Sequence, residues 1–193
     1  LTATLDSIEE PKEEGAVSAT GNEILTYGLL AGADGNANIA FQKGFKATVN
    51  TSLNNVSLTA IAKGGTNKAS FDANLETYGM FANQMTISGD FTGKINTSVS
   101  DLTVTVGAPA DKSTMTHTIS GLYITDKLTA DYLSGTITVD ASQTISGGPT
   151  SWTGNVYGIY AGNEISVSGV FDSTISITNT NTEISAAIGI RTE

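Results

Sequence analysis

Asp34-Gly-Asn36-Ala-Asn38 sets oxygen-bearing side chains at alternate positions, as the opening of a calcium loop does. The remainder of that motif fails, because Ile39 and Phe45 stand where an EF-hand places its glycine and its bidentate glutamate. Calcium at Asp34, Asn36 and Asn38 would need carbonyls or a neighbouring loop to complete its shell; a plain Asn/Gly turn is the simpler reading, and no other cofactor is implied. Asp90, Asp131 and Asp172 recur near an aromatic or leucine in three segments, but at three different offsets from it. Carboxylate clusters that cleave acidic polysaccharides also need cationic partners, and here the basic half is scarce. His117 is the only imidazole; it has no serine and aspartate at triad spacing and reads as a surface histidine in a loop. Trp152, in Gly-Gly-Pro-Thr-Ser-Trp-Thr-Gly, reads as a loop aromatic that either stacks on a sugar or covers the neighbouring layer. Asn50, Asn55 and Asn96 stand in Asn-x-Ser/Thr triplets, which carry no weight in a chain so rich in those residues. The reading that follows is of a non-catalytic protein.

Composition says what could position such groups. The chain has 193 residues with 29 Thr, 19 Ser and 14 Asn, about a third of the total, and this is strand and turn composition. Nine basic residues against nineteen acidic give a net charge of -10, which leaves no surface suited to phosphate backbones or anionic membranes. Without cysteine there is no disulfide framework, thiol nucleophile or thiolate metal site. No apolar run approaches the roughly 18 residues of a membrane span, so no membrane insertion of this segment is expected. Alternation is clear at Met85–Ser88, Lys94–Thr97, Leu102–Val106, Ile137–Val139, Ile165–Ser168 and Ile175–Thr178, each a short strand with one buried face.

Self-comparison organises these strands. A Tyr-Gly-apolar-apolar-Ala unit occurs at Tyr27–Ala31, Tyr78–Ala82 and Tyr157–Ala161, with degenerate copies at Ser120–Ile124 and Ile188–Ile190. A second unit, aromatic or Leu, x, small, x, Ile or Val, follows at Phe45–Val49, Phe91–Ile95, Leu133–Ile137 and Phe171–Ile175. The shared glycines at 28, 79, 121, 158 and 189 set repeats of 51, 42, 37 and 31 residues. Drift in length with two constant strand units fits stacked coils better than blades around an axis. The expected fold is all-β, a right-handed parallel β-helix with loops of variable length from one corner. Residues 1–23 read as the end of a preceding repeat plus the acidic loop Glu9–Glu14, and residues 24–193 as the array, with repeats starting near 27, 78, 120, 157 and 187. Equivalent residues would stack: Tyr27, Tyr78 and Tyr157 in one column, Phe45, Phe91, Leu133 and Phe171 in another, Ile95, Ile137 and Ile175 in a third. Ala60-Ile61-Ala62 leaves open a second coil in the longer repeats. Pro11, Pro109 and Pro149 mark the connections. Leu1–Leu5 matches Leu102–Val106, the last strand of a repeat.

The units Tyr-Gly-Ile-Tyr-Ala at 157–161, Ile-x-Val-Ser-Gly at 165–169 and Gly-x-Ile-x-Val at 135–139 resemble the passenger repeats of bacterial autotransporter and related β-helical surface proteins. The resemblance covers residues 24–190. It implies an extracellular or bacterial cell-surface module, acting in adhesion, aggregation or a biofilm matrix. Its partners would be host or bacterial surface glycans and proteins, and copies of itself, head to tail or laterally. No nucleic acid is among them. Because the array starts and stops in mid-repeat, the chain reads as a fragment of a longer passenger. The alternatives are a β-helix carbohydrate-active enzyme, a polysaccharide lyase or hydrolase, and a β-sandwich pilus or surface-layer subunit.

Overall fold

The computed structural model describes residues 2–3, 17–32, 36–60, 69–106, 114–142, 151–180 and 186–193, and these contain strands and no helix. The prolines and the acidic run lie outside the described residues, as do Asp34, Leu1 and Leu5. Three parallel sheets hold all the strands. The first contains β1 (Thr2–Ala3), β4 (Thr48–Ala60), β7 (Lys94–Val106), β10 (Thr136–Ser142) and β13 (Thr174–Asn179). The second contains β2 (Val17–Leu30), β5 (Ala69–Ala82), β8 (Thr114–Ile124), β11 (Ser151–Ala161) and β14 (Ala186–Thr192). The third contains β3 (Ile39–Phe41), β6 (Met85–Phe91), β9 (Lys127–Leu133) and β12 (Glu164–Val167). The chain visits them in fixed rotation, second, third, first, so three strands make one circuit.

Register shows that one sequence repeat is one circuit. Tyr27 pairs with Tyr78, Tyr78 with Ser120, Ser120 with Tyr157 and Tyr157 with Ile188, at the spacing of the repeated glycine motif. A second coil in the first repeat is excluded, since Ala60 belongs to β4 and pairs with Val106. The short strand β1 sits on the sheet expected of it but in another register. Ala3 pairs with Leu53, and Leu53 with Val99, five positions before the expected Val104. These long strands break phase midway: Leu53 and Val56, three apart, are both buried, as are Val99 and Leu102, so two registers bury a short alternating segment equally well.

Part of the variable length of the repeats resides in strand. The residues between the first sheet and the second, 61–68, 107–113, 143–150 and 181–185, lie outside the described residues. First-sheet strands shrink from 13 residues in β4 and β7 to 7 in β10 and 6 in β13. Second-sheet strands shrink from 14 in β2 and β5 to 11 in β8 and β11 and 7 in β14. Connections vary as well: the third sheet joins the first through six residues at 42–47 and 168–173 and through two at 92–93 and 134–135. Extra residues that pair with the neighbouring circuit satisfy their backbone groups in the ladder, and the stack tapers toward its C-terminal end.

One hydrophobic cluster takes residues from all three sheets, including Leu75, Ile119, Met85, Leu128, Ile95 and Ile137. Two interlocks align it. A Cβ on Gly79, Gly121 or Gly158 would lie 2.4, 2.3 and 2.3 Å from the Cγ2 of Ile95, Ile137 and Ile175, and on Gly28 2.5 Å from Val49 Cγ1. Each glycine is thus the socket for a β-branched methyl from the first-sheet strand of its own circuit. The column Val49–Ile95–Ile137–Ile175 follows from the register, and holds the three expected isoleucines. The second interlock is aromatic. Phe45, Phe91, Leu133 and Phe171 form the expected column, with the Phe45 and Phe91 rings stacked at 5.1 Å. A Cβ on Gly93 would meet the Phe45 ring at 2.3 Å, and one on Gly135 the Phe91 ring at 2.5 Å. Below Leu133 the equivalent residue is Ser173, since the smaller neighbour leaves room for a Cβ.

Two predictions test this packing. Gly121→Ala should cost about 1–3 kcal/mol by overpacking, whereas Gly189→Ala, which meets nothing within 4 Å, should be near neutral. Ile137→Ala should cost less in the Gly121→Ala background than alone, and chemical denaturation of the four chains measures the coupling. Independently, Ile137→Asp places a carboxylate at a fully buried position and should cost several kcal/mol, while Thr138→Asp on the opposite face costs little. Equal melting of those two variants would overturn the inward assignment.

Candidate functional site: an aromatic ladder outside the core

The alternation of β5 breaks at its socket glycine, and the break sets the direction of the neighbouring side chains. In β5, Thr77 is buried and a Cβ on Gly79 would point at Ile95 and Thr97, so Tyr78 between them faces outward. Met80 and Ala82 return to the core cluster, which leaves Phe81 outward too. Tyr78 and Phe81 therefore meet on the outside of the sheet, stacked with centroids 5.0 Å apart. The same geometry recurs in neighbouring circuits, and the register places Phe81, Tyr123 and Tyr160 in a second outward column.

The rings form one continuous ladder. Tyr27 lies 5.8 Å from Tyr78, Tyr78 is stacked on Tyr123 at 4.5 Å, Tyr123 on Tyr160 at 4.5 Å, and Tyr160 lies 5.2 Å from Tyr157. Phe81 braces Tyr27, Tyr78 and Tyr123 from the side. The expected Tyr27–Tyr78–Tyr157 column is present with Ser120 at its third place. Ser120 carries no ring, and its hydroxyl turns to the Leu122 carbonyl at 2.7 Å. The Tyr123 ring bridges that step. At the C-terminal end the Arg191 guanidinium lies 5.8 Å from the Tyr157 ring centroid and donates to its hydroxyl at 3.3 Å.

Carboxylates lie near the phenols along this face, Glu76 acting on Tyr78 and Glu193 on Tyr160. Burial pushes the Tyr78 hydroxyl far above the ordinary phenol range, and the Glu76 charge adds to it. Burial also raises Tyr123, with Tyr160 next in effect. Tyr160 is raised by burial and then by Glu193, against an opposing pull from Arg191. Tyr78, Tyr123 and Tyr160 thus hold their protons more tightly than an ordinary phenol. No family model, curated protein or solved structure matches this chain. What the site can do is therefore argued from its own geometry.

The other sequence candidates fall elsewhere. Asn36 and Asn38 are exposed, and Asn38 accepts from Asn83 Nδ2 at 3.3 Å, while Asp34 lies outside the described residues. Among the described residues no group of three His, Cys, Asp or Glu is arranged to hold a metal. Asn38 belongs to a polar ladder at the turn between second and third sheets. There Thr125 donates to Asn83 at 3.1 Å, and Gln84 and Asn163 each donate to the Asp126 carboxylate at 2.5 Å, holding it below its ordinary range. Asp131 accepts from Gly89 N at 2.8 Å and Ser168 Oγ at 3.4 Å, whereas Asp90 pairs in register with Tyr132; the aspartates share no column.

Two expectations are overturned. His117 is fully buried in β8, in register with Leu75 and Gly154, rather than a surface residue of a loop. Met115-Thr-His117-Thr-Ile119 alternates, which puts the imidazole on the apolar face. Trp152 lies in β11, where its backbone pairs with Met115, and so belongs to a strand; its side chain is outside the described residues. Sequence reasoning missed Tyr123 and Tyr160. The signal was present: two places after each socket glycine stand Leu30, Phe81, Tyr123 and Tyr160.

The raised phenols make a pH prediction. A tyrosine whose folded pKa lies above its unfolded value of about 10 contributes stability that is intact below that pH and is lost as pH rises through the folded value. On alkaline titration, tyrosinate absorbance of part of the six tyrosines should lag and then appear together with loss of β circular dichroism. If all six ionised at one ordinary midpoint with the β signal intact, the ladder would not be dry.

Proposed function

We propose that this chain is a right-handed parallel β-helix that serves as a non-catalytic structural or adhesive module at a bacterial surface or in the extracellular space. Rotation of the chain through three parallel sheets favours a helix over an antiparallel sandwich, and parallel crossovers are right-handed in nearly all known cases. The observation that carries the functional reading is the in-register polar surface. Outward side chains repeat from circuit to circuit and bond to their own counterparts: Asn96 Nδ2 to Asn50 Oδ1 at 2.7 Å, Ser100 Oγ to Asn54 Oδ1 at 2.9 Å, and Thr116 with Thr153 at 3.4 Å. Such columns recur at the strand spacing of about 4.8 Å and offer many equivalent hydrogen-bonding places. Repetition suits multivalent contact with surface glycans, proteins or copies of the chain better than one-site recognition. The C-terminal side of the described stack adds a second mode: Val170, Phe171 and Ile190 are exposed at 56%, 42% and 43%, an apolar edge that suits association with another copy.

Display of the chain on cells should promote their aggregation or binding to glycan-coated surfaces, and Asn50→Ala with Asn96→Ala, exposed changes that add no charge, should weaken this at little cost in melting temperature. Sedimentation over a concentration series should show association that Ile188→Lys with Ile190→Glu suppresses. Depolymerisation of polygalacturonate or a similar polymer by the purified chain would instead favour the enzyme, and display without any adhesion or association would overturn the module.

A further inference from the structure

We propose that the tyrosine ladder is a one-electron relay, carrying an oxidising equivalent between circuits along the outside of the stack. The path Tyr27–Tyr78–Tyr123–Tyr160–Tyr157 consists of tyrosines only, and its centroid steps of 5.8, 4.5, 4.5 and 5.2 Å bring successive rings close to van der Waals contact. A phenol releases an electron readily only if its proton leaves with it. Glu76 near Tyr78 and Glu193 near Tyr160 are the carboxylates that can take that proton, and the Tyr123 ring, stacked on Tyr160 at 4.5 Å, joins the middle of the path to the end near Glu193. The core behind the ladder contains Met80, Met85 and Met115, side chains that oxidation would turn polar inside a dry cluster.

The step balances as follows. A one-electron oxidant in solution takes an electron from one tyrosine and is reduced by one unit. The phenolic proton passes to the neighbouring carboxylate, leaving a neutral phenoxyl radical. The next tyrosine gives an electron and its hydroxyl proton to that radical, which becomes phenol again while the radical moves one ring along. No other bond forms or breaks. A one-electron reductant of the thiol or ascorbate class, meeting the radical at an end of the ladder, restores the last phenol.

The test uses the full chain with Thr192→Cys, an exposed position in register with Ala161, beside Tyr160. No other cysteine is present, so a ruthenium polypyridyl sensitiser attaches there alone. Illumination with persulfate generates ruthenium(III), and oxidised tyrosines are located by peptide mass spectrometry. Oxidation is expected at Tyr27, at the far end of the ladder. In Tyr123→Phe, which keeps the stacked ring but lacks the oxidisable phenol, the Tyr27 product should be lost while Tyr160 is still oxidised. Tyr132→Phe, off the ladder, should leave the Tyr27 product intact. Circular dichroism and melting check the fold, and Tyr78→Phe interrupts the same path if Tyr123→Phe proves unstable. Equal oxidation of Tyr27 with and without the interruption, or none in the uninterrupted chain, would overturn the relay.

Discussion

Glycine as a socket for a β-branched methyl is the constraint on which the rest of the structure depends. Ile95 fills the space where Gly79 would carry a Cβ, and Ile137 and Ile175 repeat this at Gly121 and Gly158. Socket and methyl belong to the same circuit, so each turn of the chain sets its own width before it stacks on the next. The carbonyl of the following glycine closes the site from the adjacent circuit, 2.6 Å from the Cβ position at Gly79 and 2.8 Å at Gly121. Any larger residue would have to displace either a backbone carbonyl or a packed isoleucine, and close-packed interiors yield little to such changes. The same break in alternation turns Tyr78 and Phe81 outward together. The aromatic face is thus a consequence of the lock inside, not a separate design.

Much of this was legible in the sequence because the two repeated units are the two halves of the lock. Tyr-Gly and Gly-x-Ile recur at spacings that the register reproduces, and the phenylalanine and isoleucine columns could be written down from them. The pairing of Phe45 with Gly93 and Phe91 with Gly135, replaced by Leu133 with Ser173, was also written there as a size exchange between neighbouring circuits. It becomes readable only once the register shows which residues lie one above another.

What was not legible has physical reasons. His117 reads as a surface residue because its polarity outweighs the alternation around it. Tyr123 and Tyr160 escaped because a residue two places past a glycine has no fixed face until the break at that glycine is known. Ala3 landed five positions from its expected partner because a period of two carries no information about which of several equivalent rungs a strand takes. Repeat length alone does not separate a longer loop from a longer strand, and Val56–Ala60 and Leu102–Val106 zip together side by side.

That last feature gives the molecule a mechanical grain. A layer of 13- and 14-residue strands at one end and of 6- and 7-residue strands at the other holds its neighbour through ladders of very different length. Under tension along the stacking axis the narrow layers carry the same force over fewer hydrogen bonds and let go first, and each successive layer holds harder than the one before. A stack built this way gives way in graded steps, starting from the circuits with the shortest ladders.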